Sequence, residues 1–223
     1  MKIASVTAVW NDERFIRAHF DMISKFDINI VLVGKKPFVD YLENGLVDSK
    51  PDRSREILER EFPHVRIFEH DFEYFCGGLF NFGMEKAREL GADIIVKLDP
   101  DMLMSDDDWT RFMSQLHRDD WDTLLLDYAN DTIAYKMDFD HGTKASIFPV
   151  GLDPHAVRIG ESFVEEGVKI RASGRQKELR DIMVHHFTGF RKGVDEAELR
   201  RVESLQGFDG WQRCPEDIIA KFR

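Results

Sequence analysis

The run Ile94-Ile95-Val96-Lys97-Leu98-Asp99-Pro100-Asp101-Met102 limits what this chain can fold into more than any other stretch. Its apolar head is the near-continuous kind expected of a strand buried on both faces of a parallel sheet. The strand then ends in two carboxylates held apart by a proline. Ligands of open α/β sheets collect outside the carboxyl ends of the strands, which is where Asp99 and Asp101 fall. Paired carboxylates there suit a hard divalent cation, which takes oxygen ligands and commonly brings a substrate phosphate with it. Asp is also an ordinary turn residue, so the motif draws its weight from what surrounds it. Lys97 alternates to the same side of the strand as Asp99, either to neutralise that carboxylate or to extend its ammonium into solvent.

The surroundings read as alternating strands and helices. Residues 2–9 predict a first strand, 28–33 a second, closed by Gly34, and 65–68 a third. Phe15, Ile16, Phe20, Ile23 and Phe26 recur at helical spacing after Asn11 or Asp12, either of which can cap the helix. A short helix is expected over 37–47, a surface turn over 48–52, a polar helix over 54–62 and a helix over 79–90 stopped by Gly91. After the carboxylate strand, Ser105-Asp106-Asp107-Asp108 has capping-box spacing ahead of the stripe Trp109, Phe112, Met113 and Leu116. This alternation predicts right-handed βαβ units and a mostly parallel sheet.

Beyond residue 120 the pattern changes. Segments 123–128, 132–139 and 144–150 are strand-like, with turns at Asn130-Asp131 and His141-Gly142, and predict an antiparallel hairpin. Late strands are expected over 168–171 and 182–187, and a polar helix over 195–205. The fold class is therefore α/β: a Rossmann-like, mostly parallel sheet flanked by helices, with an antiparallel hairpin in the C-terminal half. One domain over 1–223 accommodates it, with a ligand-binding half to residue 104 and a second half from 105.

Bulk properties narrow the classes. No apolar run approaches the roughly 20 residues needed to span a bilayer. The N-terminus passes straight into a strand pattern, without a signal peptide's apolar core and cleavage site. Cys76 and Cys214 are too few for a disulfide framework, so the expectation is a cytoplasmic protein with no integral membrane segment. The net charge of −11 disfavours broad nucleic-acid binding. It is unevenly spread: residues 99–140 hold twelve Asp against Arg111, Arg118 and Lys136, whereas 167–201 hold nine Lys or Arg against five acids. The basic segment suits either one phosphorylated ligand or a plain solvated face.

Three segments together resemble the nucleotide-sugar-dependent glycosyltransferases of the GT-A type, closest to family 2. They are Val9-Trp10-Asn11-Asp12-Glu13 at the end of the first strand, Gly77-Gly78-Leu79-Phe80-Asn81-Phe82-Gly83 opening a helix, and Asp99-Pro100-Asp101. Their order and spacing agree with the family over the first half of the chain. The resemblance implies transfer of a sugar from a nucleotide-sugar, most simply a UDP-sugar, to a hydroxyl acceptor, with Mn2+ or Mg2+ as cofactor. It implies Asp101 as a direct metal ligand and Asp99 as a contact to the ribose or, through water, to the metal. Donor contacts are implied for Thr7, Ala8, Trp10, Glu13, Gly34, Asn81 and Gly83. A histidine on a late strand completes the metal or phosphate site in this fold. Here that is His186 or, failing it, His185, because neighbours on a strand face opposite ways. Arg191 and Lys192 are placed to clamp the leaving diphosphate. Asp153, or else Glu161, is the candidate general base.

Two departures from the family are visible. The second strand ends Val33-Gly34-Lys35-Lys36 where relatives usually carry acids that read the base, and Phe80 stands where many place a basic residue before the Asn. Rival readings are a non-catalytic nucleotide-sugar-binding protein of the same fold and a phage-type enzyme that glycosylates hydroxylated bases of nucleic acid. Nucleotidyl transfer would want a glycine- and Lys/Arg-rich loop after the first strand, and Trp10-Asn11-Asp12-Glu13 is not one.

Overall fold

A computed structural model describes residues 1–43, 47–73, 77–121, 123–126, 131–136, 176–179, 181–182, 184–186, 201–204, 211–213 and 216–220. In chain order the elements begin β1 (Ile3–Val9), α1 (Glu13–Ile23), β2 (Ile28–Gly34), α2 (Val39–Glu43), α3 (Ser54–Glu61), β3 (Arg66–His70), α4 (Gly77–Glu89), β4 (Ile94–Lys97), β5 (Met102–Leu103) and α5 (Asp106–Leu116). They continue with β6 (Thr123–Leu126), β7 (Asp131–Lys136), β8 (Gln176–Glu178), β9 (His185–His186), β10 (Arg201–Ser204), β11 (Trp211–Arg213) and α6 (Glu216–Ala220).

The main sheet has the order β3-β2-β1-β4-β7-β6-β8. Its first four strands are mutually parallel, with Val6 opposite Ile30 on one side of β1 and Lys97 on the other. This is the α/β, Rossmann-like class expected. The hairpin is present as β6 and β7, with β7 antiparallel to β4. A second sheet, β11-β10-β9-β5, is antiparallel throughout.

Strand β1 is buried along its whole length, and its side chains alternate between two cores. Ile3 and Val9 join Phe15, Phe20 and Ile23 of α1 and Trp109 and Phe112 of α5 on one side. Ala4, Val6 and Ala8 join Leu79, Met84 and Ala87 of α4 on the other. Helix α4 lies so close to the sheet that a Cβ on Gly83 would run into Val6 Cγ1 and come within 2.9 Å of Leu32 Cδ1. The helix ends in a Schellman motif: Gly91 adopts φ +79° and Ala92 N–H reaches back to Ala87 O.

Two expectations need correction. Residues 201–204, expected within a polar helix over 195–205, form β10 and pair with His185–His186. Non-local pairing overrides the weak helical propensity of Arg-Val-Glu-Ser. At the start of α1, Asp12 is the N-cap residue, but its side chain makes no capping bond. It accepts instead from Trp10 N–H at 2.8 Å, while Asp12 N–H donates to Ser54 Oγ at 2.9 Å. The expected cap on α5 is present, with Ser105 Oγ accepting from Asp108 N–H at 3.1 Å. The expected strands 144–150 and 168–171 lie outside the described residues. No helix among the described residues is long and apolar enough to cross a membrane.

The contact of α4 with the sheet generates a prediction. Gly83→Val overpacks it, at a cost of at least ~1–3 kcal/mol, which corresponds to a fall in Tm of roughly 2–12 °C for a chain of this size. Thermal unfolding followed by circular dichroism checks it, and an unchanged Tm would contradict the close approach.

Candidate active site

The strand order turns back at β1: β2 and β3 lie on one side of it and β4 on the other. The carboxyl ends of β1 and β4 therefore flank the point where the following connections diverge, the position at which open α/β sheets hold ligands. Asp99 to Met102 form a tight turn at this edge, closed by Met102 N–H on Asp99 O at 2.9 Å. Pro100 fits its second position because its φ is already fixed near the value required. Both carboxylates are buried, Asp99 with 7% and Asp101 with 0% of its surface exposed. The chain leaves the turn as β5, pairing Met102 with His186 and Leu103 with His185. The backbone of β9 is thereby brought alongside the carboxylate turn.

The two late histidines part company here. His185 is buried and its basicity is lowered by desolvation, with the charges of Asp108 and Asp217 acting in the opposite direction. Asp108 belongs to the first turn of α5, and Asp217 of α6 reaches the same turn by accepting from Asp106 N–H at 2.8 Å. His185 thus sits among groups that organise the start of α5. The backbone of His186 lies one register position from Asp101, opposite Met102.

Residues expected to hold the donor are distributed as follows. Thr7 and Ala8 are buried at the end of β1, Ala8 in the core beneath α4 and Thr7 with its hydroxyl 3.2 Å from His19 Nε2. Trp10 is 7% exposed and donates its indole N–H to Asp48 O at 3.1 Å. That bond ties the ring's edge to the 48–50 segment. Asn11, in a left-handed conformation at φ 55°, clamps the same segment through Asp48 N and Lys50 O. Glu13 accepts from Arg53 N–H at 3.2 Å, and its own N–H donates to Asp52 at 2.8 Å. The segment Trp10–Glu13 therefore latches residues 48–54 across the amino end of α1.

At the end of β2, a Cβ on Gly34 would come within 2.7 Å of Lys36 O and 3.3 Å of His70 Cε1. Lys35, where an acid was the family's norm, pairs with Asp71 at 3.0 Å. Asn81 is half-buried on α4, and the glycine at 83 is required by helix–sheet packing. Lys97 Nζ lies 4.5 Å from the centre of the Phe80 ring. That distance is within the range of a cation–π contact. Asp153, Glu161, Arg191 and Lys192 lie outside the described residues.

One buried polar residue at this edge escaped the sequence reading. His19 of α1 is fully buried, and burial pushes its pKa down to about 4 against the opposing influence of the Met102 backbone and the Asp101 charge. Its signal was a histidine inside the apolar stripe of α1, four residues after Phe15.

The donor set can be tested against a divalent cation. Among the described residues no three His, Cys, Asp or Glu side chains gather as a cage. Mg2+-like ions, however, are commonly held by one or two carboxylates plus substrate phosphates. Two buried carboxylates on one turn fit that pattern, and Asp99 and Asp101 are the residues that would hold such a cation.

No protein-family model matches the chain, and neither does any curated protein sequence. Among solved structures, S. aureus TarS 1–349 in complex with UDP-GlcNAc is similar over 56% of this chain and 34% of that one, at 16% identity and a TM-score of 0.37. Mannose-1-phosphate geranyltransferase from Thermus thermophilus is similar over 56% of this chain and 42% of that one, at 13% identity and a TM-score of 0.39. The chain spans less than half the length of either neighbour. Its α/β class rests on its own strand order.

His70, at the carboxyl end of β3, supplies a pH prediction. It is 5% exposed, stacks on Phe38 with ring centres 5.7 Å apart, and its Nδ1 accepts from Phe72 N–H at 3.2 Å. Burial lowers its pKa to about 4, opposed by the charge of Asp71. The unfolded chain, with histidine near 6.5, then binds more protons between those values. Stability is full above about pH 6.5 and falls as the pH drops toward 4. The loss from this group is about 2 kcal/mol between pH 7 and 5. Denaturant titrations at both pH values should show it, and His70→Phe should flatten the dependence by that amount. An equal pH dependence in the variant would contradict the assignment.

Proposed function

We propose that this chain is a GT-A-type glycosyltransferase, of the family 2 kind, that moves a sugar from a UDP-sugar to a hydroxyl acceptor with Mn2+ or Mg2+ at the Asp99–Asp101 turn. The observation that carries this reading is two buried carboxylates on one tight turn at the carboxyl end of β4, beside the reversal of strand order. Such a cation supplies neutralisation of the charge that develops on a departing diphosphate. The sequence pattern of Trp10–Glu13, Gly77–Gly83 and Asp99–Asp101 adds the nucleotide-sugar class to that placement.

In this reading Asp101 ligates the cation, and Asp99 orients the ribose or a metal-bound water. His186 adds the third protein group, since its backbone is paired beside the turn. Arg191 and Lys192 hold the leaving diphosphate. Asp153, or in its place Glu161, takes the proton of the acceptor hydroxyl. A base positioned on that proton contributes about 10²–10⁴-fold in rate.

Calorimetry with UDP and with GDP, each with and without Mn2+, tests donor and metal together. UDP affinity should depend on Mn2+ and collapse in EDTA. Asp101→Asn should abolish the metal-dependent part while the protein still melts cooperatively. UDP binding that is indifferent to EDTA would remove the metal from the account, and tighter GDP binding would reassign the base. Release of UDP from UDP-sugars in the presence of Mn2+ separates turnover from binding alone. Asp153→Asn should slow transfer by about 10²–10⁴-fold with donor affinity unchanged. Undiminished transfer would pass the role to Glu161.

A further inference from the structure

The chain that leaves the carboxylate turn is tied back on itself by the last described helix. Strand β5, just past the turn, is one edge of the small antiparallel sheet, and β11 is the other. Among the described residues its ladders are short: two residue pairs join β5 to β9, two join β9 to β10 and three join β10 to β11. Strands this short hold only marginally without outside support. After β11, at the far edge, the chain meets again the helix that follows β5. There Asp217 of α6 accepts from Asp106 N–H, the first amide of α5, at 2.8 Å. That amide is one of the four a helix leaves without an internal partner, and Ser105 Oγ serves another, Asp108 N–H, at 3.1 Å. A carboxylate suits the place because it accepts strongly and also meets the positive end of the helix. The next residue, Ile218, is fully buried in the core that holds Leu103, Trp109 and Phe112. Helix α6 thus closes a ring of contacts running through β5, β9, β10, β11, α6 and α5.

We propose that α6 is a clasp whose seating keeps β9 paired with β5. Asp217 and Ile218, adjacent in sequence, are its polar and apolar anchors. While the clasp holds, both edges of the small sheet are fixed to α5, and peeling β9 from β5 moves β10, β11 and α6 as well. Opening is then cooperative, a single unit that leaves the parallel sheet intact. His186 belongs to that unit, its backbone opposite Met102 just past the carboxylate turn. A ligand that gathers the turn and His186 together favours the seated clasp, and release of the clasp takes His186 away. The link to a ligand rests on the function proposed above, whereas the clasp itself does not.

Amide hydrogen exchange, with and without UDP and Mn2+, reads the two separately in the wild type, Asp217→Ala, Asp217→Asn and Ile218→Ala. In Asp217→Ala without ligand, Asp106 N–H should exchange roughly 3–30-fold faster, the range expected for a lost helix cap. The amides of His185 and His186 should accelerate by a similar factor, while Val31 and Leu32 of β2 keep the wild-type rate. Ile218→Ala should accelerate the same set, and Asp217→Asn, which keeps an acceptor oxygen, should recover most of the wild-type protection. In the wild type, UDP with Mn2+ at ten times the dissociation constant should slow exchange at Asp106, His185 and His186 about tenfold, because only the seated form binds. Faster exchange at Asp106 with wild-type rates at His185 and His186 overturns the clasp and leaves Asp217 a local cap. Wild-type exchange throughout overturns it as well. Coupled acceleration in a protein whose wild type binds no UDP supports the clasp and overturns the metal reading. Coupled acceleration with bound UDP that slows none of these amides supports the clasp and overturns its link to the ligand. If Ile218→Ala does not fold, Asp217→Ala and Asp217→Asn decide by the same readings.

Discussion

Parallel pairing of β1 on both its edges is the constraint on which the candidate site depends. With β2 on one side and β4 on the other, β1 has neither a free edge nor a free face, and its residues from Ile3 to Val9 are buried. Every connection leaving the carboxyl ends of these strands must then climb away from the sheet in one of two directions. The gap between those directions opens at the ends of β1 and β4, where a small ligand meets backbone from several elements at once. Asp99 and Asp101 stand at that gap because β4 ends two residues before Asp99 and a proline-containing turn follows at once.

Two struts hold this edge in shape. One is α1, which touches β1 through His19 and Thr7 and the chain after the turn through Met22 and Met104. The other is the latch in which Trp10, Asn11, Asp12 and Glu13 bond to residues 48–54. Several polar side chains that a sequence motif assigns to a ligand are, in the folded chain, employed in keeping the β1–α1 corner closed. The corner is therefore held by its own polar side chains, and the two buried carboxylates of the turn lie beside it. Function at such an edge depends on fixed geometry, since a misplacement of an ångström can cost as much as a lost group.

Local patterns were legible in the sequence wherever neighbouring residues decide the outcome. The apolar run before Asp99 is β4, Ser105 caps α5 through Asp108, and Gly91 ends α4 with a positive φ. What escaped was decided by partners distant in sequence. Residues 201–204 are strand because His185 and His186 offer them a ladder. Asp12 is the local exception, its side chain taken from the capping role by Trp10 N–H two residues before it. Gly83 looks like part of a ligand motif until Val6 and Leu32 are seen to leave no room for a Cβ. His19 shows as a polar residue on an apolar stripe, but its contact with Thr7 on β1 is one that sequence spacing alone does not supply.

The central claim is that a cation and a diphosphate meet on the Asp99–Asp101 turn. Anomalous diffraction at the manganese absorption edge, from crystals grown with UDP and Mn2+, tests it most directly. The account predicts a single strong peak within a coordination bond of the Asp101 carboxylate, bridging to the diphosphate oxygens, at the carboxyl ends of β1 and β4. A peak elsewhere, or bound UDP with no manganese at the turn, would contradict it.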